Sequence, residues 1–427
     1  MRRRVFFVFC SSLLFFWLLF FIPGISYGQN YRTHKEELAQ IASMAKWRLG
    51  PFQISPGIQF REIGYDGNVY NRRKDDHPVS DYTATISPQL NLFFLYRGWL
   101  IFSFLENPEY VFYGKEKRER AFNNSYSPSL RLLLFQRFVL SGNYQFQRTK
   151  VRTSSEFDLR VEEESEGYNA GIFFETPRGT SIGFSGAKKR LTYKNITLRG
   201  EEIDFSRILN REERSGQVEL NYRVFSGSLF FMKLGYSEYD FLHVESHWKN
   251  SFSFQASGGL RLPYSGKTRG FVSIGYRMLT PRRTWIAGFQ GLIANMSLEY
   301  RLKRLVFRLQ YGRDCNFSYE ANNVFYLENG VRAGLSLYLT SFLRLDYYYA
   351  YTQLDYPRLV PVWFSDGRYE EIKRKDLNHS QTAGFVFKIL KDTGIGLMFN
   401  FFDRDSNYVW EGRRERWFVG AYFTQDF

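Results

Sequence analysis

The sequence predicts an all-β protein: a transmembrane antiparallel up-and-down β-barrel of about 18 strands, within a range of 16–18. Three observations predict it. Apolar and polar side chains alternate from residue 50 onward, short and long connections alternate along the chain, and an apparent secretion signal precedes both patterns. Composition agrees, because 19% of the 427 residues are aromatic and 34 glycines outnumber 12 prolines. This aromatic content excludes a disordered chain, and two cysteines exclude a disulfide scaffold.

The first 28 residues have the pattern of a secretory signal peptide. Arg2, Arg3 and Arg4 precede an apolar run from Val5 to Ile22. Small residues at 26 and 28 then predict cleavage before Gln29. The alternative is an uncleaved anchor helix, since 18 residues nearly span a membrane.

Residues 29–49 form a short periplasmic N-terminal segment with a helical pattern. Thr33 and Glu36 have the spacing of a capping box, and Leu38, Ile41 and Ala45 follow at helical intervals. Three interpretations stay open for this segment: a short lead-in helix, a plug, or a dock for a periplasmic partner.

Residues 50–427 form the predicted barrel. The clearest alternation runs from Asp81 to Tyr96, where one face is apolar and the other is polar. Short connections are predicted at 97–98, 136–137, 177–179, 226–227, 263–267, 303, 340–342 and 391–393. Long polar ones are predicted at 64–80, 114–121, 152–165, 192–214, 238–250, 279–289, 318–324, 352–380 and 403–415. Short periplasmic turns and long extracellular loops are the layout of a barrel in the outer membrane of a Gram-negative bacterium.

The last strand carries an assembly signal. Trp417 and Phe423 share one face, which ends in the terminal residue Phe427. This pattern predicts recognition by the outer-membrane barrel assembly machinery, although Gln425 stands where an apolar residue is usual. We also expect outer-membrane lipid and lipopolysaccharide as partners.

Several short motifs resemble a family of outer-membrane β-barrel porins associated with bacterial exopolysaccharide, exosortase-linked systems. They are Ile54-Ser55-Pro56-Gly57, Tyr65-Asp66-Gly67-Asn68-Val69-Tyr70, Ile86-Ser87-Pro88-Gln89-Leu90 and Asp403-Arg404-Asp405-Ser406-Asn407. The resemblance covers most of residues 50–427 and implies a barrel linked to polysaccharide export. It also implies polysaccharide and periplasmic export components as partners, and it carries no catalytic residues.

The alternation also assigns charges to the lumen. Nine basic residues have the inward phase: Arg131, Arg223, Lys233, Arg261, Arg301, Arg308, Arg332, Arg344 and Lys388. Three acidic residues share it: Glu219, Glu299 and Asp346. A positive lumen would concentrate anions. The alternative is that these cations pair with carboxylates and serve the structure.

Enzymatic signals are weak, and we predict no catalytic residue, no cofactor and no metal. His243 and His247 would ligate zinc together only on a helix, and they lie in a predicted loop. Dispersed charge and a secretion signal argue against nucleic acid as a partner. Three function classes follow: a channel for anionic polysaccharide or small anionic solutes, a non-conducting scaffold of an exopolysaccharide export complex, and an outer-membrane enzyme.

Overall fold

Eighteen antiparallel strands close into a barrel within the described part of this computed structural model. The structure describes residues 33–152, 156, 159–198, 201–225, 227–262, 266–320, 322–363, 368–390, 393–408 and 412–426. The predicted signal peptide, its cleavage site and Phe427 lie outside these residues. The strand count predicted from the alternating connections is confirmed.

The strands take their bounds from the alternating pattern, and most cover 13 to 16 residues. They are β1 (Trp47–Leu49), β2 (Phe52–Asp66), β3 (Asp81–Tyr96), β4 (Leu100–Glu106), β5 (Glu109–Tyr113), β6 (Ala121–Leu134), β7 (Phe138–Arg152), β8 (Arg160–Glu175), β9 (Ser181–Tyr193), β10 (Ile196–Leu198), β11 (Glu201–Ile203), β12 (Arg211–Phe225), β13 (Ser228–Phe241), β14 (Ser251–Leu262), β15 (Thr268–Pro281), β16 (Phe289–Leu302), β17 (Leu305–Phe317), β18 (Phe325–Tyr338), β19 (Leu343–Trp363), β20 (Tyr369–Leu390), β21 (Thr393–Ser406) and β22 (Arg414–Asp426). Two α-helices are α1 (His34–Met44) and α2 (Phe205–Leu209), and two 3-10 helices cover Lys117–Glu119 and Val244–Lys249.

The barrel closes where the last strand meets the first long one. β22 pairs with β2 from Gly57 opposite Asp426 to Asp66 opposite Phe418. β4 and β5 together occupy one position between β3 and β6, because Asn107 and Pro108 interrupt the ladder there. Proline has no N–H to donate to a neighbouring strand, which explains the break. The β10–β11 hairpin lies outside the barrel sheet.

The two faces of each strand have the predicted environments. On β3, Thr83, Thr85 and Ser87 are buried, whereas Tyr82 and Ile86 are 63% and 41% exposed. Polar residues therefore face the interior and apolar residues face outward, which is the arrangement that a lipid surface requires. Eighteen strands spaced about 4.8 Å apart and tilted by about 40° give a barrel roughly 35 Å across.

Connections at the two ends differ as predicted, with one correction. The short connections all join neighbouring strands, and the Arg97-Gly98 turn has positive φ at both residues, as type I′ hairpins require. The predicted long loop at 352–380 is wrong, because β19 and β20 continue through most of it. These two strands extend well beyond the nine to eleven residues that roughly suffice to cross a membrane.

Candidate functional site: the lumen and its two ends

The nine predicted lumen cations all have the inward register and gather at one end of the barrel. Eight of them lie within six residues of a short turn, and Arg332 lies seven residues from one. Because short turns mark the periplasmic end, these side chains form a basic ring in the periplasmic half of the lumen. The sequence predicted their face, and their common height follows from their distances along the chain to the short turns.

Most of these cations have a carboxylate partner. Those paired in this way are Arg131, Arg223, Lys233, Arg301, Arg308 and Arg344. Six of the nine therefore have the carboxylate partners that the alternative interpretation expects, and whether they serve only the structure stays a prediction. Arg261 lies over the Phe231 ring at 5.9 Å, and Lys388 is exposed beside its turn.

Glu299 is shared among several arginines. Its carboxylate lies 2.7 Å from Arg269 Nη2, 2.8 Å from Arg301 Nε and 3.2 Å from Arg308 Nε. Register explains the contact, since Glu299 is paired directly with Arg269 on β15 and with Arg308 on β17. Sequence reasoning missed Arg269, although its phase on β15 was a usable signal. One carboxylate among three guanidinium groups leaves this part of the ring positive.

The same patch continues onto β18 and β19. Arg308 donates hydrogen bonds to Ser336 Oγ at 2.7 Å and to the Tyr348 hydroxyl. Arg344 Nε donates to Asp346 at 2.9 Å. The Tyr348 ring lies over Gly334, where a Cβ would come within 1.9 Å of its Cδ1 atom. The absent side chain at position 334 thus makes room for this aromatic ring on the inner wall.

The helix α1 lies in the periplasmic mouth of the barrel, on the lumen side. Its capping box is formed, with Thr33 Oγ1 accepting from the Glu36 N–H and the Glu36 carboxylate accepting from the Thr33 N–H. Ile41 is buried against Phe93 and Ile101, which face inward on β3 and β4. The helix therefore occupies the position that a plug would have.

Polar contacts fix the start of α1 to four elements of the mouth. The His34 N–H donates to Glu175 on β8, and His34 Nε2 lies 2.9 Å from the Gly98 carbonyl oxygen. Glu37 pairs with Arg131, and Glu36 Oε1 lies 2.8 Å from Arg223 Nη2. Burial lowers the pKa of His34, so the imidazole is neutral at pH 7. A helix about 10–12 Å wide narrows a mouth of this size.

Loops cover the opposite, extracellular mouth and meet at Ser318 and Tyr319, between β17 and β18. Glu156, from the β7–β8 loop, accepts hydrogen bonds from Ser318 Oγ and from the Tyr319 N–H at 2.8 Å. Lys249, after β13, donates to the Ser318 carbonyl at 2.6 Å. The β7–β8 and β17–β18 loops arise eight strand positions apart around the barrel, so this contact crosses the mouth.

Both charged groups in this cover are fully buried, and their pKa values shift accordingly. Burial raises the pKa of Glu156 to about 7, partly offset by the Arg374 guanidinium. Burial also lowers the pKa of Lys249 to about 8, partly offset by the Glu156 carboxylate. Sequence reasoning missed both residues, because neither lies in an alternating pattern.

A second ionic cluster lies below this cover. Asp376 is fully buried between Arg374 and Arg404, with oxygen–nitrogen distances of 2.9 Å and 2.7 Å. Arg374 also pairs with Glu320 at 3.2 Å and lies over the Tyr356 ring. Arg374, Asp376 and Arg404 were assigned to long loops at the sequence level. They belong instead to the inward faces of β20 and β21.

The described part of the predicted assembly signal, Trp417 and Phe423, lies at the barrel seam, on the outer surface. Trp417 is 41% exposed, packs against Tyr65, and occupies the space that a Cβ at Gly67 would need. Phe423 packs against Phe60 across the closing pair of strands, with ring centroids 6.0 Å apart. The contacts are those of a lipid-facing seam; recognition by assembly machinery stays a prediction.

Residues considered for chemistry do not come together in the described part of the chain. No group of three His, Cys, Asp or Glu side chains suited to a metal ion is found there. His243 precedes the 3-10 helix Val244–Lys249 and His247 lies within it, and Cys315 is buried in an apolar cluster with Tyr239 and Phe289. No described helix is long and apolar enough to span a membrane.

Comparison with known proteins gives one family and several distant structures. Residues 46–421 match the model of a family described as "Putative beta-barrel porin 2". No curated protein matches the chain. The chain is similar to OccK3 (OpdO) of Pseudomonas aeruginosa, with a TM-score of 0.47 and 12% identity over 88% of this chain and 95% of that one. The chain is also similar to OpdQ of the same organism, with a TM-score of 0.47 and 12% identity over 88% of this chain and 98% of OpdQ. Similarity to the FrpB iron transporter of Neisseria meningitidis has a TM-score of 0.43 and 9% identity. It extends over 83% of this chain and 62% of FrpB.

Proposed function

We propose that this chain, which belongs to the β-barrel porin 2 family, is an outer-membrane channel for anions. Its permeant is an anionic polysaccharide or a small anionic solute leaving the periplasm. The observation that carries the proposal is the basic ring at the periplasmic end of the lumen. The resemblance to exopolysaccharide-associated porins supports a polysaccharide as the larger permeant.

The physical basis is local concentration of the permeant. A ring of cations inside a low-dielectric wall raises the local concentration of anions and their rate of entry. Pairing within the ring does not cancel its charge, because Glu299 is shared by Arg269, Arg301 and Arg308. The ring faces the compartment from which an exported glycan would arrive.

Ion selectivity in planar bilayers tests the proposal. Reversal potentials in a KCl gradient should give an anion-to-cation permeability ratio above one for the purified protein. Replacing Arg301 and Arg308 with alanine should lower the ratio by about twofold to fivefold, because two of the ring's charges are removed. An Arg368→Ala variant, which changes an exposed residue at the extracellular hairpin, should leave the ratio unchanged. Cation preference, or no conductance from any variant, would refute the proposal.

A non-conducting scaffold is the second candidate, and the structure offers one observation in its favour. Both mouths contain protein: α1 at the periplasmic end, and the contact of Glu156 with Ser318 at the other. A scaffold should give no single-channel events with or without residues 33–46. A gated channel should conduct at least when these residues are deleted.

A further inference from the structure

We infer that α1 is an internal mimic of the permeant. Its glutamates form ion pairs with arginines of the basic ring, and these arginines are the ones that an incoming polyanion binds first. The inference rests on the proposed function and names its substrate class, a polymer carrying carboxylates. Glu36 and Glu37 are consecutive, and they contact arginines of two different strands, Arg223 on β12 and Arg131 on β6.

The two contacts differ in how readily a ligand can replace them. Glu36 and Arg223 are both well exposed to solvent, with 46% and 38% of their side chains accessible. Exposed ion pairs of this kind are weak and exchange easily. Within the described residues, Glu36 is the carboxylate paired with Arg223, so releasing it frees that guanidinium for a new anion.

The second contact is more enclosed and shared. Arg131 pairs with Glu37 and also lies 3.2 Å from Glu175 on β8. When α1 moves, Arg131 keeps Glu175 and loses only the carboxylate supplied by the helix. Each of the two arginines thus gains one position for an anion when the glutamates of α1 leave.

The rest of the helix acts as a tether for these carboxylates. Ile41 is seated between Phe93 and Ile101, and the chain then enters β1, which is paired with the start of β2. A tethered carboxylate competes at a high effective concentration, so a monovalent anion displaces it poorly. A polymer with several carboxylates can engage both arginines together and overcome this competition.

Binding of an oligogalacturonate to detergent-purified protein tests the inference directly. The test variant is Glu36→Gln/Glu37→Gln, which keeps the helix and removes its two charges. Its dissociation constant, measured calorimetrically, should be about threefold to tenfold lower than that of the unmodified protein, because the internal competitor is gone. A neutral maltooligosaccharide of equal length should show no such change.

Matched variants separate this effect from net charge and from misfolding. Glu370→Gln/Glu371→Gln removes two consecutive glutamates from the extracellular end of β20 and should leave oligogalacturonate binding unchanged. Adding Arg131→Ala/Arg223→Ala to the test variant should abolish the gain. Each protein is checked for heat-modifiable migration, and Glu36→Gln alone, at an exposed position, serves if the double variant fails to fold.

The outcomes distinguish the inference from the proposed function. Equal affinity in the test variant and the unmodified protein, or an equal gain in the Glu370/Glu371 control, overturns the inference. A gain in affinity without conductance in bilayers supports competition between α1 and a polyanion for the arginines, and it refutes the channel and the polyanion's role as permeant. Conductance with unchanged affinity refutes only the mimic.

Discussion

At the residue scale, Glu299 sets the charge of the periplasmic ring. Three arginines lie within 3.2 Å of its carboxylate, and two of them are its direct neighbours on the adjacent strands. Removing one partner of such a cluster changes the lumen charge and leaves the arginines to repel one another. The carboxylate thus holds the guanidinium groups in place and also limits their attraction for anions.

Replacing Glu299 with glutamine should therefore increase anion selectivity while weakening the fold. We expect the anion-to-cation permeability ratio to rise by about twofold, because one negative charge leaves the ring. Unfolding should occur at a lower temperature, measured by loss of heat-modifiable migration. Glu370→Gln, at an exposed extracellular position, is the control for both measurements. A ratio that stays constant would mean that Glu299 does not face the ion path.

Gly334 tests the fit of an aromatic ring on the inner wall. A Cβ at this position would lie 1.9 Å from Tyr348 Cδ1, so Gly334→Ala must displace the ring and its contact with Arg308. Overpacking of this kind costs about 1–3 kcal/mol. At Gly312, on the neighbouring strand, a Cβ would meet nothing within 4 Å. Urea unfolding in lipid vesicles should show a lower free energy of unfolding for Gly334→Ala and an almost unchanged one for Gly312→Ala. Equal decreases in the two variants would contradict the assigned contact between Gly334 and Tyr348.

The face of each lumen residue was predictable, and its partner was not. Arg308 was assigned inward from a period of two, which depends only on the local sequence. Its contacts with Glu299 and Tyr348 depend on the register between strands far apart in the chain, which alternation does not specify. Arg269 was missed although the predicted turn at 263–267 ends directly before its strand and its phase is inward.

At the element scale, turns were predicted better than long loops. Short turns were found correctly because each interrupts two alternating segments. The 352–380 segment is polar, and polarity was interpreted as a loop, whereas β19 and β20 continue there as paired strands. In these extensions Arg358 and Arg374 contact Asn323 and Glu320 of the β17–β18 loop, and the outer faces lie beyond the lipid. Polar composition in such extensions reflects the absence of lipid and does not end a strand.

The closed form of the extracellular cover, the contact of Glu156 and Lys249 with Ser318, should become more stable as the pH falls. Burial raises the pKa of Glu156 to about 7, above its ordinary value, so the closed cover binds a proton more strongly than an open one. The stability that this proton contributes is complete below about pH 4.5 and is lost as the pH rises through about 7. Channel openings in bilayers should therefore become rarer between pH 7 and pH 4.5.

Glu156→Gln isolates that effect. The amide is neutral at every pH, so the variant should lose the pH dependence in this window and open rarely even at pH 7.5. In the unmodified protein the lowered pKa of Lys249 acts above about pH 8, outside the window. Glu245→Gln, at an exposed position in the loop that carries Lys249, is the control and should keep the original profile. If channel opening in Glu156→Gln kept the pH dependence of the unmodified protein, Glu156 would be excluded as the origin of that dependence.

At the scale of the whole molecule, the barrel is electrically asymmetric. Near the periplasmic turns Glu299 is shared by three arginines that line the lumen, whereas near the extracellular cover the fully buried Asp376 is held between two arginines. A closed barrel is rigid around its circumference, so these two zones stay at fixed heights. A charged polymer therefore meets an attractive zone at one end and an enclosed, paired zone at the other.

This asymmetry predicts sided block by a polyanion. Oligogalacturonate should block single-channel current at a concentration about tenfold lower from the periplasmic side than from the extracellular side, because the basic ring is reached first from the periplasm. A biotin label on the β19–β20 hairpin defines the orientation. Raising KCl from 0.1 M to 1 M shortens the screening length from about 10 Å to about 3 Å and should reduce the difference between the two sides. Dextran of equal size, which carries no charge, controls for steric block. Equal block from both sides at low salt would mean that the periplasmic ring does not govern entry, and that anions are selected elsewhere in the lumen.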